Sequence, residues 1–149
     1  MIGSAKKMLW KCDSCKGDIV DVKDGILEWK NTKDHKRYDL HLVHDNKDCS
    51  YDKNRLSDTK NVTISYGMLE NYVNQDGLMT LLEEISLNDF LNNEEVLEMI
   101  KRLHIIGYDE IRLQIKQAIS EGIYEPNTEQ MYPMQNDIKL IKEWIQQKS

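Results

Sequence analysis

Three cysteines and one histidine in the amino-terminal part of the chain have the types and spacing of metal ligands. Cys12 and Cys15 form a Cys-x-x-Cys pair, and His44 and Cys49 form a second pair with four residues between them. A tight turn at a Cys-x-x-Cys aims both sulfurs at one tetrahedral ion. Three thiolates and one imidazole make a closed, soft donor set, which favours structural zinc over a catalytic metal or a hard cation. The sequence therefore predicts one structural Zn²⁺ ion on these four side chains.

Strand register decides which histidine is the predicted ligand. The alternation of apolar residues over Tyr38–His44 predicts a strand in which His44 shares the apolar face with Leu42, while His41 points the other way. His35 falls in a charged loop. His44 is therefore the predicted ligand, and His41 and His35 are the alternatives.

Two other interpretations of the cysteines are an ordinary buried role and a redox role. Thiol–disulfide enzymes usually place their Cys-x-x-Cys at a helix N-terminus, whereas the residues after Cys15 have the pattern of a strand. An odd count of three cysteines suits a reduced compartment better than a secreted disulfide framework. Residues 1–10 lack the apolar run of a signal peptide, and no apolar stretch approaches the roughly 20 residues of a membrane span. We therefore expect a cytoplasmic protein without a membrane partner.

The elements that position the predicted ligands are short strands. Alternating apolar residues on both sides of an Asp-Gly pair at 24–25 predict a hairpin in which Val22 pairs with Leu27. A further strand is predicted over Tyr38–His44, and a short one over Val62–Tyr66. The first half of the chain is thus predicted to form a small antiparallel sheet.

From Asp76 onward the apolar residues recur with the period of helices. Helices are predicted from a cap at Asp76 to about Ile85, from Asn92 or Asn93 to about Ile105, over about 109–121, and from Pro133 onward, with Gly107 and Gly122 as stops. The predicted fold class is α+β. A zinc-stapled β module over residues 1–66 precedes an acidic module of about four helices over residues 67–149, with one continuous domain as the alternative.

Charge is distributed unevenly along the chain, whose formal net charge is −6. Residues 1–75 hold 13 Lys and Arg against 12 Asp and Glu, whereas residues 76–149 hold 7 against 14. An acidic surface repels phosphate backbones, so the helical half is predicted to bind a protein partner. Nucleic acid is the alternative partner, and it would use the basic residues of the first half: Lys30, Lys33, Lys36, Arg37, Lys47, Lys53 and Arg55.

Residues 10–50 resemble the broad class of zinc-ribbon or treble-clef-like fingers, in which a ligand pair from a turn and a pair from a later loop close around one ion. The segment His44-x4-Cys49 stands where the commonest ribbon has a second Cys-x-x-Cys. The Trp-x-Cys-x-x-Cys start and the His-to-Cys segment also resemble an uncharacterised bacterial or phage family. Neither resemblance implies an activity.

The function predicted from these patterns is a non-catalytic, zinc-binding protein-interaction or regulatory module. A nucleic-acid-binding zinc finger is the first alternative. An HNH-like nuclease with His41 as general base is the second, suggested by the stretch from His41 to Asn46. The segment Glu94–Ile119 also has the outline of a helix-turn-helix, although an ordinary helical hairpin fits its acidic surroundings better. The sequence has no Gly-rich phosphate loop and no HExxH segment.

Overall fold

The computed structural model describes residues 8–50, 62–126 and 131–148. Its fold class is α+β, as predicted: short antiparallel strands come first and helices follow. Contacts divide the chain into two compact units. One unit is Trp10–His104, and the other contains the described residues on either side of it. The candidate metal site lies entirely within Trp10–His104.

Two small antiparallel sheets form the first part of the unit Trp10–His104. Their strands are β1 (Trp10–Lys11), β2 (Asp18–Ile19), β3 (Gly25–Asn31), β4 (Arg37–His44) and β5 (Thr63–Met68). β1 pairs with β2, and the second sheet has the order β4-β3-β5. All residues from Gly25 to Trp29 are buried, because β3 is the central strand and is covered on both faces. The last four residues of β4, His41–His44, pair with Gly25–Glu28 of β3, which gives the end of that strand a fixed position.

The predicted hairpin at residues 24–25 is wrong. Val22–Asp24 form a 3₁₀ turn that the Asp21 side chain caps, and Gly25 begins β3 and pairs with His44. A Cβ at Gly25 would lie 2.7 Å from Leu69 Cδ2, so this glycine permits close packing instead of a hairpin turn. The partners of β3 are therefore β4 and β5 and not the segment before residue 24.

The strand predicted over Tyr38–His44 is confirmed, since β4 spans Arg37–His44. A register shift interrupts its pairing with β3 between Glu28 and Lys30, where Asp39 on β4 has a φ of +58°. The strict alternation assumed from the sequence therefore breaks at Asp39. The carboxyl end of β4, which carries His44, lies beyond this irregularity and is in regular register with the start of β3.

Two helices complete the unit Trp10–His104. They are α1 (Gln75–Ser86) and α2 (Asn93–His104), and α2 packs against both α1 and β4. The Asn74 side chain caps α1 by accepting from the Gly77 N–H at 2.7 Å, so the predicted cap at Asp76 is wrong. Both helices belong to the same compact unit as the sheet. The predicted division into a β module over residues 1–66 and a helical module over residues 67–149 stays a prediction.

The second unit is helical. Its elements are α3 (Tyr108–Ile111), a 3₁₀ turn (Arg112–Gln114), α4 (Ile115–Ser120) and α5 (Gln135–Lys148). The helix predicted over about 109–121 is thus interrupted in its middle. Gly107 and Gly122 have φ values of +81° and +76°, which confirms both as helix-boundary glycines. The core of this unit consists of Tyr108, Ile111, Ile115, Ala118, Tyr124, Ile138 and Ile141. Within the described ranges, no helix combines the length and apolar character needed to cross a membrane.

Candidate metal centre

The fold brings together all four side chains that the sequence singled out. One ligand atom from each of Cys12, Cys15, His44 and Cys49 lies within 4.8 Å of the corresponding atoms of the other three. Cys12 and Cys15 come from the turn between β1 and β2, His44 is the last residue of β4, and Cys49 comes from the loop after it. The four residues are therefore close enough to hold a metal ion. Neither His41 nor His35 belongs to this group.

The spacing of these atoms fits a tetrahedral zinc site. With bonds of about 2.3 Å to sulfur and about 2.0 Å to nitrogen, a tetrahedral ion separates a sulfur from a nitrogen by about 3.5 Å. The His44 Nδ1 atom lies 3.4 Å from the Cys15 sulfur and 3.8 Å from the Cys49 sulfur. These two sulfur–nitrogen distances are therefore close to those of a tetrahedral zinc site.

The Cys-x-x-Cys turn is closed by its own backbone. The Lys16 N–H donates to the Cys12 carbonyl at 2.9 Å, and the Cys12 N–H donates to the Gly17 carbonyl at 2.9 Å. Lys16 adopts the left-handed conformation with a φ of +66°, which turns the chain back after Cys15. A Cβ on Gly17 would lie 3.3 Å from the Cys15 sulfur, so glycine allows the backbone to pass close to that ligand. These features aim both sulfurs to one side of the turn.

Hydrogen bonding of the His44 ring shows which nitrogen faces the cysteines. His44 Nε2 lies 2.9 Å from the Asp18 carbonyl oxygen, which can only accept a hydrogen bond. Nε2 is therefore the protonated nitrogen, and Nδ1 presents its lone pair to the sulfurs. A backbone carbonyl that fixes the tautomer and orientation of a histidine in this way is the usual outer partner of a metal-bound imidazole.

Asn46 holds the loop that carries Cys49. Its side-chain Oδ1 accepts from the Cys49 N–H at 2.8 Å and from the Asp48 N–H at 3.0 Å. The Ser50 hydroxyl donates to the Asn46 carbonyl at 2.7 Å. This Asx turn reverses the chain after β4, so that Cys49 returns toward His44.

The electrostatics of the group favour a bound cation. Burial raises the pKa of the Cys12 thiol, but hydrogen bonds from the backbone at Cys15, His44 and Ser14 outweigh burial and lower that pKa to about 7. For Cys49, burial and the neighbouring Cys12 and Cys15 sulfurs raise the pKa to about 11. The fold thus stabilises one thiolate, whereas the negative charges of a second and a third thiolate would repel it. A dication among the sulfurs would remove this repulsion and stabilise all three thiolates.

His44 and Trp10 complete the immediate surroundings of the site. Burial lowers the pKa of His44, but its bonds to the Asp18 carbonyl and the Cys12 sulfur outweigh burial and raise it. Cys12 is fully buried, whereas Cys15 is exposed, so one side of the group faces solvent. Trp10, two residues before Cys12, is also buried, at 4% exposure.

Sequence analysis missed the residues that hold the ligands in place. Asn46 had a recognisable signal, because an Asn three residues before Cys49 in a polar loop is typical of an Asx turn. The Asp18 carbonyl had no such signal in the sequence, because every residue has a backbone carbonyl. Asp13, between the two cysteines, and Arg102, on α2, also lacked a local signal because they are 89 residues apart in sequence.

Comparison of the chain with protein-family models, with curated proteins and with solved structures found no match. The geometry of the site therefore carries the functional argument. It defines a class: an α+β protein with a Cys₃His group that is close enough to bind one metal ion, consistent with a zinc finger.

Proposed function

We propose that the chain binds one structural Zn²⁺ ion and acts as a non-catalytic protein-interaction module. The ligands are the sulfurs of Cys12, Cys15 and Cys49 and the Nδ1 atom of His44. One observation supports this best: four soft donor atoms, from three separate segments, lie within 4.8 Å of one another. Three sulfurs and one nitrogen fill a tetrahedral zinc shell and leave no position for a substrate, which favours a structural role over a catalytic one.

The ion would add a further link between short segments of the unit. β1 and β2 contain two residues each, which is too short for an independently stable hairpin. One ion would be shared by three segments: the turn at Cys12 and Cys15, the end of β4 at His44, and the loop at Cys49. The ion neutralises the thiolates, and the protein residues orient them. Zinc binding would therefore contribute directly to the folding of this part of the chain.

Elemental analysis and a pair of variants test the metal assignment. We expect about one zinc per chain in protein purified without chelator. Cys49→Ser should weaken zinc binding more than about 100-fold, because losing a ligand costs more than losing an outer hydrogen-bond partner. His35→Asn is the matched control, since His35 is exposed in a left-handed conformation that Asn tolerates. Zinc affinity measured by chelator competition should be unchanged in this control.

The outcome of that comparison is decisive for the ligand set. Equal loss of zinc in Cys49→Ser and His35→Asn would show that Cys49 is not a ligand. Wild-type protein without any bound transition metal would overturn the zinc proposal as a whole.

The proposed partner surface is the exposed face of α1. Residues 76–104 hold 2 Lys and Arg against 7 Asp and Glu, so this stretch contains most of the excess acidity of the helical half. Met79 and Leu82 lie one turn apart on α1 and are 66% and 43% exposed. Asp76 and Glu83 are exposed on the same helix. Apolar side chains flanked by carboxylates suit a basic, amphipathic protein segment.

Substitution on α1 tests this surface. A protein that copurifies with the tagged full-length chain should be identified by mass spectrometry, and its affinity for wild type and variants should then be measured by calorimetry. Met79→Asp with Leu82→Asp should weaken binding by at least tenfold because both apolar anchors are lost. Leu113→Asp is the control, since Leu113 is equally exposed, at 57%, but lies in the other unit. Unchanged affinity in the double variant would exclude α1 as the binding face.

Several basic residues of the nucleic-acid alternative already have partners within the protein. Lys30 pairs with Asp39 and Arg37 with Glu84, each at 2.8 Å. The Lys36 side chain donates to the Asn88 carbonyl. Lys53 and Arg55 lie outside the described residues. These contacts favour a protein partner, and DNA binding that weakens steeply with rising salt would favour the alternative instead.

A further inference from the structure

A buried ion pair links the Cys-x-x-Cys turn to α2. Asp13 lies between the two cysteine ligands, and its side chain is 13% exposed; Arg102 lies in the last turn of α2, and its side chain is 4% exposed. The Arg102 Nη1 group donates to Asp13 Oδ2 at 2.8 Å, and Nη2 donates to the Lys11 carbonyl at 2.9 Å. One guanidinium therefore holds both the strand that precedes Cys12 and the residue that follows it.

The same Asp13 also fixes the turn to β4. The Leu42 N–H donates to Asp13 Oδ2 at 2.8 Å, and the Asp13 N–H donates to the Leu42 carbonyl at 2.8 Å. Two residues farther along β4, the His44 N–H donates to the Cys12 sulfur at 3.4 Å. The position of Cys12 relative to His44 therefore depends on contacts that Asp13 makes and that Arg102 neutralises.

We propose that Asp13 and Arg102 are positioning residues of the metal centre, so that the zinc-binding unit includes α2 and does not end near residue 50. This inference rests on the proposed zinc site. Without Arg102, the Asp13 carboxylate would be buried without its counter-charge beside the thiolates. It would move toward solvent and draw the turn away from Leu42, which would separate Cys12 from His44. Metal affinity depends on outer partners that fix the ligands, and loss of one typically costs 10–100-fold.

Zinc affinity of variants of the full-length chain tests this proposal. Arg102→Met removes the guanidinium but keeps an apolar stem, and Asp13→Asn removes the carboxylate charge. Arg102→Lys is a milder variant that keeps the charge with fewer donors. We expect Arg102→Met and Asp13→Asn each to weaken zinc binding by about tenfold or more. The zinc affinity of Arg102→Lys should lie between those of wild type and Arg102→Met. The double variant should bind about as weakly as either single one, because both remove the same contact.

The matched control separates positioning from general stability. Arg37 belongs to the same unit and pairs with Glu84 at 2.8 Å, the same distance as the pair of Arg102 with Asp13, but it does not contact the Cys-x-x-Cys turn. Arg37→Met should lower the melting temperature of the zinc-free protein while changing zinc affinity less than about twofold. Zinc dissociation constants from chelator competition and melting curves with and without zinc provide both readouts.

The outcomes are distinguishable from those that test the zinc site itself. If wild type binds zinc but Arg102→Met, Arg102→Lys and Asp13→Asn bind it equally well, the positioning role is wrong and the zinc site stands. If Arg37→Met weakens zinc binding as much as Arg102→Met, the effect is one of general stability and the proposal is again overturned. If wild type binds no zinc, both proposals fail.

Discussion

Removing the metal from the purified protein is expected to lower its melting temperature by about 15–30 °C. A ligand present at about 1,000 times its dissociation constant stabilises the folded state by about 4.1 kcal/mol. For a cooperative unit of about 60–100 residues, each kcal/mol corresponds to roughly 4–8 °C. The unit Trp10–His104 has this size and contains all four proposed ligands. Calorimetry before and after treatment with a strong chelator measures the effect, and added Zn²⁺ should restore the original melting temperature.

A cysteine variant controls for effects of the chelator itself. Cys12→Ser removes the fully buried member of the proposed ligand set, so the melting temperature of this variant should be low from the start and should respond to neither chelator nor zinc. Added Mg²⁺ should not replace Zn²⁺ in the wild type, because sulfur and imidazole donors bind hard cations poorly. A chelated wild-type protein that melts at its original temperature would contradict the structural role of the ion.

The candidate ligands could be found from the sequence because their chemistry is specific and the strand between the pairs was recognisable. A Cys-x-x-Cys restricts its own geometry to a tight turn, and the apolar pattern of Tyr38–His44 placed His44 at a strand end. The residues that complete the site could not be found in this way. The contact of Asp13 with Arg102 depends on how α2 packs on β4, and no local pattern contains that information.

The errors in the predicted fold have a related cause. An Asp-Gly pair at 24–25 is typical of a hairpin, but Gly25 is required by packing against Leu69, which is distant in sequence. Periodicity reports the type of each element and does not report its packing partner, so it could not predict that α2 packs on β4. Caps and helix stops such as Gly107 and Gly122 were predictable because they are local.

Gly77→Ala should destabilise the protein by about 3 kcal/mol, although helix propensity alone predicts the opposite. Alanine in the interior of a helix is favoured over glycine by about 1 kcal/mol. A Cβ at Gly77, however, would lie 2.4 Å from Tyr72 Cα and 2.5 Å from the Asn71 carbonyl oxygen. Both are backbone atoms at the end of the 3₁₀ turn Leu69–Asn71, which Tyr72 follows as the C-cap, so no side-chain rotation can relieve the clash. Overpacking of this kind typically costs about 1–3 kcal/mol. Loss of the capping hydrogen bond from the Gly77 N–H to the Asn74 side chain adds to this cost.

Thr80→Ala provides the matched control on the same helix. Thr80 is exposed on α1, and its hydroxyl donates to the Asp76 carbonyl one turn earlier. Its replacement should change the free energy of unfolding in urea by no more than about 0.5 kcal/mol. If Gly77→Ala were as stable as Thr80→Ala, the close approach of α1 to the turn at Tyr72 would be wrong.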